Sequence, residues 1–463
     1  MRTFVAVLTS ALLLTGAVPA PAEPAWSPAP IAWGPCADFP DGECGTLRVP
    51  LDWTKPHGTS IDLAVARHRA TDQAHRLGVL LVNPGGPGTS NAEFALTPNY
   101  FSPEIRARFD IVGFDARGTG GSEFIRCADP TGPPPSNEPG NPAEFDALRQ
   151  YNQQVIADCR ARNTPIWDHA YTSIGAQDMD AVRRALGERK ISYHGISYGT
   201  LLGQQYAERY GSRVRAMVLD SNIDHSVDVR HFMGDRAAAA DDAFLQFVDW
   251  CDRTESCALH GQDVLATWQR ALDAADDMPQ LSGNWLRDWV FQDLYAPDFD
   301  DIARVVADTA AGIPPFSAQF EYNYLSIRLA TVCQDFSLRI KDFRQYSALR
   351  ADELRRGPLM RGGSLGHDEA TACIGIPGPP ANPPHRLNLR EAPTILLLNS
   401  RHDVATPYAW ALDIHRQARN TALLTYEGTG HAVYTRSACT RDAADDYLLT
   451  LRTPPPGASC PAV

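Results

Sequence analysis

Residues 190–205 read KISYHGISYGTLLGQQ, and this stretch predicts a strand, a sharp turn and a helix in immediate succession. Residues 191–194 alternate as in a strand, and residues 200–210, after the turn, have the composition of a helix. In the pattern G-x-S-x-G between them, the two glycines leave room for a strained turn that lifts one serine hydroxyl above a sheet. The helix that follows directs its free N-terminal N–H groups towards that serine. Ser197 is therefore the predicted nucleophile.

A second copy of the pattern, GGSLG at residues 362–366, occurs later in the chain. No strand is predicted before it, and residues 356–384 are rich in glycine and proline and are predicted to form a loop. Because the pattern predicts a nucleophile only between a strand and a helix, we interpret this second copy as structural.

The composition predicts a globular protein with a large core. At 463 residues, the chain is long enough for two or three domains, or for one large α/β unit with an insertion. The formal net charge is −13 and no basic cluster occurs, which argues against nucleic acid and anionic membranes as partners. The acidity itself is typical of a soluble protein, and the sequence leaves the oligomeric state open.

The N-terminus has the features of a secretory signal. A short cationic start is followed by an apolar run over residues 4–18, and small residues offer cleavage sites at Val18-Pro-Ala20 or Ala20-Pro-Ala22. Residues 1–22 are therefore the predicted signal peptide. The apolar run is too short to span a bilayer, and no second run of spanning length follows it. We expect a secreted, extracellular protein with no stable membrane association.

All ten cysteines lie after the predicted signal. In an oxidising compartment, an even number of cysteines is more typical of disulfides than of metal ligands. The sequence contains no C-x-x-C or H-E-x-x-H pattern, so we expect neither a metal site nor a cofactor. Ten cysteines permit on the order of a thousand pairings. We expect pairing between sequence neighbours: Cys36–Cys44, Cys127–Cys159, Cys251–Cys257, Cys333–Cys373 and Cys439–Cys460.

Strand and helix patterns alternate along the first half of the chain. The predicted strands, two of them continuous apolar runs that indicate burial on both faces, cover residues 45–53, 61–67, 78–83, 109–114, 191–194 and 214–219. An amphipathic helix is predicted over residues 175–186. This alternation favours a mostly parallel, doubly wound sheet with right-handed crossovers.

From residue 223 to residue 390, the pattern changes to helical segments with many aromatic residues and no strand repeat. The α/β pattern then resumes with strands at residues 393–399 and 422–426. The sequence thus predicts one α/β core, formed by residues 23–222 and 391–463. A large helical lid, residues 223–390, is inserted after the sixth core strand.

A serine hydroxyl becomes a good nucleophile only when a base removes its proton and an acid orients that base. In α/β-hydrolases these groups follow the order serine, acid, histidine along the chain. His431 follows the last of these strands, and Asp403 follows the strand before it. Asp220 and Asp224, which follow an earlier strand, are alternatives for the acid. We prefer Asp403 because the resumed strand pattern delivers it to the same sheet edge.

The oxyanion of a tetrahedral intermediate needs two preorganised N–H donors. One is predicted to be the backbone N–H of Tyr198, directly after the nucleophile. The other is expected in the loop PGGPG at residues 84–88, at Gly86 or, as a second choice, at Gly85, because glycine lets the backbone approach the substrate. A tight turn that only needs positive φ is the alternative explanation of these glycines.

Several motifs together resemble the secreted tripeptidyl-aminopeptidase-like branch of the α/β-hydrolases, relatives of the prolyl aminopeptidases. The resemblance covers nearly the whole mature chain. Its motifs are CGTLRVPLD (44–52), VNPGGPG (82–88), GFDARGTG (113–120), GISYGT (195–200), FVDWC (247–251), VCQD (332–335) and the C-terminal segment 430–460. The resemblance implies an α/β-hydrolase fold with Ser197, Asp403 and His431 as the catalytic triad. The chain departs from the family pattern at Ala116, where proline is usual, and at Thr89, where glycine is common.

The resemblance implies a serine exopeptidase that releases short peptides, such as tripeptides, from free N-termini. Such an enzyme needs a group that holds the ammonium of the substrate. Glu321 and Asp335 of the predicted lid are candidates, against the alternative of a surface charge or a structural hydrogen bond. Peptides or small esters are the expected substrates. A carboxylesterase with the same triad and a catalytically silent hydrolase-fold binding protein are the alternative interpretations.

Overall fold

The structure is a computed structural model in which residues 26–127, 134–278, 283–314 and 325–463 are described. The predicted signal peptide lies outside these ranges. Within them, no helix has both the length and the apolar composition needed to cross a membrane.

The described residues form ten strands in one sheet: β1 (Gly34–Pro35), β2 (Glu43–Pro50), β3 (Ser60–His68), β4 (Gly78–Asn83), β5 (Phe109–Phe114), β6 (Ile191–Ile196), β7 (Val214–Asp220), β8 (Ile395–His402), β9 (Thr421–Thr429) and β10 (Ser459–Cys460). Their order across the sheet is β1-β2-β3-β5-β4-β6-β7-β8-β9-β10. The pairs β1/β2, β2/β3 and β3/β5 are antiparallel, whereas every neighbouring pair from β5 onwards is parallel. The predicted mostly parallel sheet of an α/β-hydrolase is therefore confirmed.

The α-helices of the described ranges are α1 (Asn91–Ala95), α2 (Pro103–Arg108), α3 (Pro142–Arg162), α4 (Thr172–Ala185), α5 (Tyr198–Tyr210), α6 (Val229–Arg253), α7 (Val264–Asp277), α8 (Gly283–Tyr295), α9 (Phe299–Ala310), α10 (Leu325–Asp335), α11 (Phe343–Arg356), α12 (Leu365–Ala372), α13 (Tyr408–Gln417) and α14 (Ala438–Thr450). Helices α6 to α12 lie between β7 and β8 in the chain, and the described residues of this segment contain no strand. We call these helices the cap.

Helices cover both faces of the sheet, which explains its apolar strands. Every residue of β4, β5 and β6 is buried. Leu81 of β4 packs in the cluster that contains residues of α4 and α5, whereas its neighbour Leu80 packs with residues of α2 and α14. Adjacent side chains of a strand point to opposite faces, so a strand between two helical layers must be apolar throughout.

The cap has a hydrophobic core of its own. Phe244 and Phe247 of α6 pack against each other, and Phe244 also contacts Trp268 of α7. All three side chains are fully buried. The same cluster includes Val404 and Ala405, which follow β8. The cap therefore packs directly onto the loop at the end of this core strand.

Five disulfides connect the cysteines in the order expected from sequence neighbours: Cys36–Cys44, Cys127–Cys159, Cys251–Cys257, Cys333–Cys373 and Cys439–Cys460. The bond between Cys333 and Cys373 joins α10 to the residue after α12, across a sequence separation of 40 residues. Two helices of the cap are thereby linked covalently.

The predicted loop over residues 356–384 is wrong in part, because α12 lies within it. Ser364, the serine of the second G-x-S-x-G copy, caps this helix by accepting the N–H of His367. The helix has only eight residues, too few to be stable alone, and it packs against α6 and α10. Tertiary contacts, which the local sequence does not reveal, therefore stabilise it.

Candidate active site

Ser197 lies on the sharp turn between β6 and α5. Its backbone has φ 54° and ψ −122°, and a non-glycine residue adopts such a positive φ only under strain. A Cβ on Gly195 would lie 2.6 Å from the carbonyl oxygen of Gly199, and a Cβ on Gly199 would lie 2.7 Å from the carbonyl oxygen of Asn83. Only glycines therefore fit on either side of Ser197, in the strand–turn–helix setting that the sequence indicates.

Asp403 and His431 meet at the carboxyl edge of the sheet, because they follow the parallel neighbours β8 and β9. Nδ1 of His431 lies 3.0 Å from Oδ1 and 3.1 Å from Oδ2 of Asp403. Both side chains are buried, with relative exposures of 1% and 0%. The N–H groups of Ala405 and Thr406 and the Thr406 hydroxyl also donate to the carboxylate. These donors fix the orientation of Asp403 towards the imidazole.

Opposing effects act on the pKa of Asp403. Burial raises it, but the charge and hydrogen bond of His431 and further donors, including Thr406 and Ser221, outweigh burial and leave the pKa below its ordinary value. The carboxylate therefore stays ionised at neutral pH and favours a proton on Nδ1 of His431. Nε2 on the other side of the ring is buried and has no hydrogen-bond partner within the described part of the chain. Nε2 of His431 and the Ser197 hydroxyl therefore make no hydrogen bond to each other in this structure.

Asp220, the first alternative for the acid, has different partners. Its backbone carbonyl accepts the Ser197 N–H at 2.8 Å. Its carboxylate accepts the N–H groups of Val433 and Tyr434 at 2.9 Å and 2.8 Å. Burial raises the pKa of Asp220 to about 6. Asp220 therefore links the turn that carries Ser197 to the loop that carries His431.

Asp224, the second alternative, accepts hydrogen bonds from Ser226 and from Gln417 of α13. Burial raises its pKa above the ordinary value. The carboxylate that the structure brings to His431 is Asp403, the one favoured by the strand order.

The glycine-rich loop after β4 packs against the turn at Ser197. A Cβ on Gly85 would lie 2.8 Å from the Ser197 Cβ and 2.9 Å from the Tyr198 nitrogen. The Gly85 N–H already donates to Oδ1 of Asn83 at 2.8 Å, whereas the Tyr198 N–H, at the first residue of α5, has no acceptor within its helix. Gly86 follows with φ 112°, which glycine alone adopts without strain. Gly86 is therefore a better candidate donor than Gly85.

A cavity of about 60 Å³ adjoins this loop. Its wall includes Gly88 of the loop, Gly175 of α4 and Tyr198, the first residue of α5. Thr89 and Ala116 line the same cavity. Both residues therefore border a space beside the turn at Ser197.

Of the two carboxylates expected to hold a substrate ammonium, only Asp335 lies within the described residues. Glu321 lies outside the described residues. Asp335, the last residue of α10, is fully buried, and its carboxylate accepts hydrogen bonds from the Thr172 N–H and hydroxyl, the Tyr198 hydroxyl and the Asn382 amide. These bonds fill the acceptor capacity of a carboxylate. The structure thus corrects the expectation for Asp335, which braces Tyr198 and the start of α4 and has no acceptor left for a substrate.

The site also contains a residue that no sequence pattern indicates. Tyr295, the last residue of α8 in the cap, has its ring centroid 4.3 Å from that of the His431 imidazole. Burial raises the pKa of its hydroxyl, and the nearby Ser197 side chain partly opposes this effect. No sequence pattern predicts a role for a single tyrosine at a helix end, because its position in the site depends on how the cap packs onto the core.

Known proteins are similar to this chain over most of its length. Residues 361–460 match a family model described as TAP-like protein. Serine protease Hip1 of Mycobacterium tuberculosis is 30% identical over 489 residues, covering 93% of this chain and 91% of that protein. A tripeptidyl aminopeptidase of Streptomyces lividans is 29% identical over 472 residues, with coverages of 93% and 86%. Carboxylesterase B of Mycobacterium tuberculosis is 31% identical over 493 residues, with coverages of 93% and 89%.

The sheet order and the strained serine turn define the class as an α/β-hydrolase of the serine hydrolase type. The similarity along nearly the whole chain then identifies the family: the chain belongs to the TAP-like α/β-hydrolases. The resemblance seen in its motifs is confirmed, and the protein is a serine peptidase or hydrolase.

Proposed function

We propose that this protein is a secreted serine exopeptidase that releases short peptides, such as tripeptides, from free N-termini. Ser197 is the proposed nucleophile, His431 the base and Asp403 the orienting acid. The observation that supports this assignment most directly is the buried Asp403–His431 pair, in which Nδ1 of the imidazole lies 3.0 Å from the carboxylate. A triad needs this tautomer, with one imidazole nitrogen held by the acid and the other open to the serine.

In the proposed acylation step, Nε2 of His431 takes the proton of the Ser197 hydroxyl while Oγ attacks the carbonyl carbon of the scissile bond. The carbonyl oxygen becomes an oxyanion, to which the N–H groups of Tyr198 and Gly86 would donate. The C–N bond then breaks, and His431 passes its proton to the leaving amine. The short N-terminal peptide stays on Ser197 as an ester.

Deacylation repeats these steps with water as the nucleophile. His431 removes a proton from the water while its oxygen attacks the ester carbonyl. The bond to Ser197 Oγ breaks, the proton returns from His431 to the serine, and the peptide leaves as a carboxylic acid. Asp403 remains ionised throughout and stabilises the imidazolium of His431 in both halves of the reaction.

The restriction to chain ends is proposed from the position of the cap. Cap residues contact the loops of both Asp403 and His431: Arg236 donates to the Ala405 carbonyl, and Tyr295 accepts the His431 N–H. We propose that residues 223–390 act as a lid over a core of residues 23–222 and 391–463. Such a lid would admit a chain end more readily than the middle of a folded polypeptide. The names of two relatives, a serine protease and a tripeptidyl aminopeptidase, support the same substrate class.

Secretion is proposed from the ten cysteines, all of which are paired in disulfides, since disulfides persist in oxidising compartments. Residues 1–22 are the proposed signal peptide. Secretion of the full-length chain, with cleavage after Ala20 or Ala22, can be checked by N-terminal sequencing of the exported protein. Retention of an uncleaved chain inside the cell would contradict it.

A carboxylesterase with the same triad is the second candidate, favoured by the similarity to carboxylesterase B. Three substrate types distinguish the exopeptidase from the carboxylesterase. They are chromogenic tripeptide amides with free N-termini, the same amides with blocked N-termini, and short acyl esters. Cleavage of the free amides above the blocked ones supports the exopeptidase. Cleavage of esters alone would reject it. A catalytically silent binding protein would cleave none of these substrates and would not be labelled by a fluorophosphonate probe.

The nucleophile has a matched control in the second G-x-S-x-G copy. We expect Ser197→Ala to lower kcat about a millionfold, as removal of a triad serine does elsewhere. Ser364→Ala removes the N-cap residue of helix α12, which costs about 1 kcal/mol of stability. This change should leave kcat and fluorophosphonate labelling unchanged. If Ser197→Ala kept a tenth of the activity, the nucleophile would lie elsewhere. The same conclusion would follow if a folded Ser364→Ala variant lost its activity.

A further inference from the structure

The main chain of Tyr295 is hydrogen-bonded to the loop that carries His431. Its carbonyl oxygen accepts the His431 N–H at 2.9 Å and an Arg436 guanidinium N–H at 3.2 Å. Two residues further on, Pro297 packs on the same loop, since a Cβ on Gly430 would lie 2.7 Å from the Pro297 Cδ. The end of α8 is therefore docked on the loop that carries the proposed base.

This docking brings the Tyr295 side chain to two of the proposed reacting groups. The ring lies against the His431 imidazole, with centroids 4.3 Å apart and planes tilted by 42°. The hydroxyl is near Ser197, whose side chain acts on its pKa. The cap thus supplies a polar group beside the serine, on the side where the imidazole lies.

The phenol of Tyr295 is a neutral donor at any ordinary pH. Burial and the negative charge of Asp403 raise its pKa to about 12. A phenol that keeps its proton can donate a hydrogen bond to a developing negative charge without itself introducing a charge that would have to be desolvated. A phenolate at this position would instead repel the oxyanion.

We propose that Tyr295 is a further catalytic residue, whose hydroxyl donates to the tetrahedral intermediate formed at Ser197. In that intermediate, Oγ and the oxyanion are bonded to the same carbon, so a rotatable donor near the first oxygen is also near the second. Tyr295 would thereby add a third donor, from the cap, to the two N–H groups of the core. The inference rests on Ser197 being the nucleophile, as proposed above.

Tyr295→Phe tests this role because it removes the hydroxyl and keeps the ring against His431. We expect kcat for a tripeptide amide to fall by roughly 10- to 100-fold, somewhat less than for loss of a principal oxyanion donor, with KM changed by less than about threefold. The affinity of a peptide boronic acid, which forms a tetrahedral adduct with serine, should fall by a similar factor. The affinity of the product tripeptide, which forms no such adduct, should stay constant.

Tyr346→Phe is the matched control. Tyr346 lies in α11 of the cap, is buried, and its hydroxyl has no hydrogen-bond partner in the described ranges. Its replacement should leave kcat, KM and boronic acid affinity unchanged. The control separates a specific effect of the Tyr295 hydroxyl from a general effect of removing a phenol from the cap.

Three results would overturn the proposal. An unchanged kcat in Tyr295→Phe would mean that the hydroxyl does not act in the reaction. A raised kcat/KM would mean that it obstructs Ser197 in the resting enzyme. Equal weakening of the boronic acid and the product peptide would mean that Tyr295 only shapes the binding site. In each case, loss of activity in Ser197→Ala would show that the nucleophile is correctly assigned. A failure of the proposal for Tyr295 can therefore be distinguished from a failure of the proposed function.

Discussion

Asp403→Asn tests the charge arrangement of the site directly. In the wild type, the ionised carboxylate holds the proton on Nδ1 of His431 at 3.0 Å and 3.1 Å. Asparagine has nearly the same shape, and its carbonyl oxygen can still accept from the N–H groups of Ala405 and Thr406, so the loop should keep its conformation. With its amide turned to the imidazole, however, it favours the proton on Nε2, which can then no longer act as a base. In serine proteases, this change lowers kcat about 10⁴-fold, or by about 5.4 kcal/mol of transition-state stabilisation.

Asp220→Asn is the matched comparison, since Asp220 is equally buried and ends the strand beside β8. Its carboxylate accepts two N–H groups, from Val433 and Tyr434, and asparagine can accept only one of them well. Leaving one buried donor unsatisfied costs about 1–3 kcal/mol. Removing a buried charge, whose penalty is seen in the raised pKa of Asp220, offsets part of this cost. Even if the whole cost appeared in kcat, the loss would be at most about 150-fold.

The two variants should therefore differ in kcat by at least about 50-fold. The measurement is steady-state hydrolysis of a tripeptide amide, with circular dichroism to confirm that both variants are folded. Fluorophosphonate labelling rates should follow the same order, because they report the nucleophilicity of Ser197. If Asp220→Asn were the more damaging change while Asp403→Asn kept a hundredth of the activity, Asp220 would be the acid and the assignment from the geometry would be refuted.

Two further predictions concern the loop beside the nucleophile and the pH dependence of stability. Gly85→Ala, at φ 93°, would place a Cβ 2.5 Å from the Ile196 carbonyl oxygen and 2.9 Å from the Tyr198 nitrogen, so we expect kcat to fall by about 100-fold or more. Gly34→Ala, with no atom within 4 Å of the new Cβ, should be neutral, and equal activities of the two variants would contradict the packing argument. For Asp220, the folded-state pKa of about 6 exceeds the ordinary 3.8, so this group stabilises the fold at acid pH and the contribution is lost as pH rises through about 6. The melting temperature of Asp220→Asn relative to wild type should accordingly increase between pH 4 and pH 7, whereas parallel curves would show that Asp220 does not titrate there.

The candidate site was predictable wherever a short stretch carries its own physical reason. The turn at Ser197 needs small neighbours in any fold that contains it, so its sequence context is sufficient to recognise it. The order of strands and helices likewise follows from apolar periodicity, and it implied that Asp403 and His431 would reach one edge of the sheet. Asp335 was misjudged because its burial depends on partners distant in sequence, such as Thr172.

By itself, the sequence determined the strands, the sharp turn at Ser197 and its glycines, because these depend on the periodicity and backbone sterics of neighbouring residues. Only the tertiary structure decided which carboxylate faces the imidazole, since Asp220 and Asp403 end strands that lie side by side and differ in the loops they contact. It also decided the position of Tyr295, whose ring lies against His431 only because α8 docks on the loop of His431. Contacts between segments distant along the chain depend on packing, and packing leaves no periodic trace in the residues that it brings together.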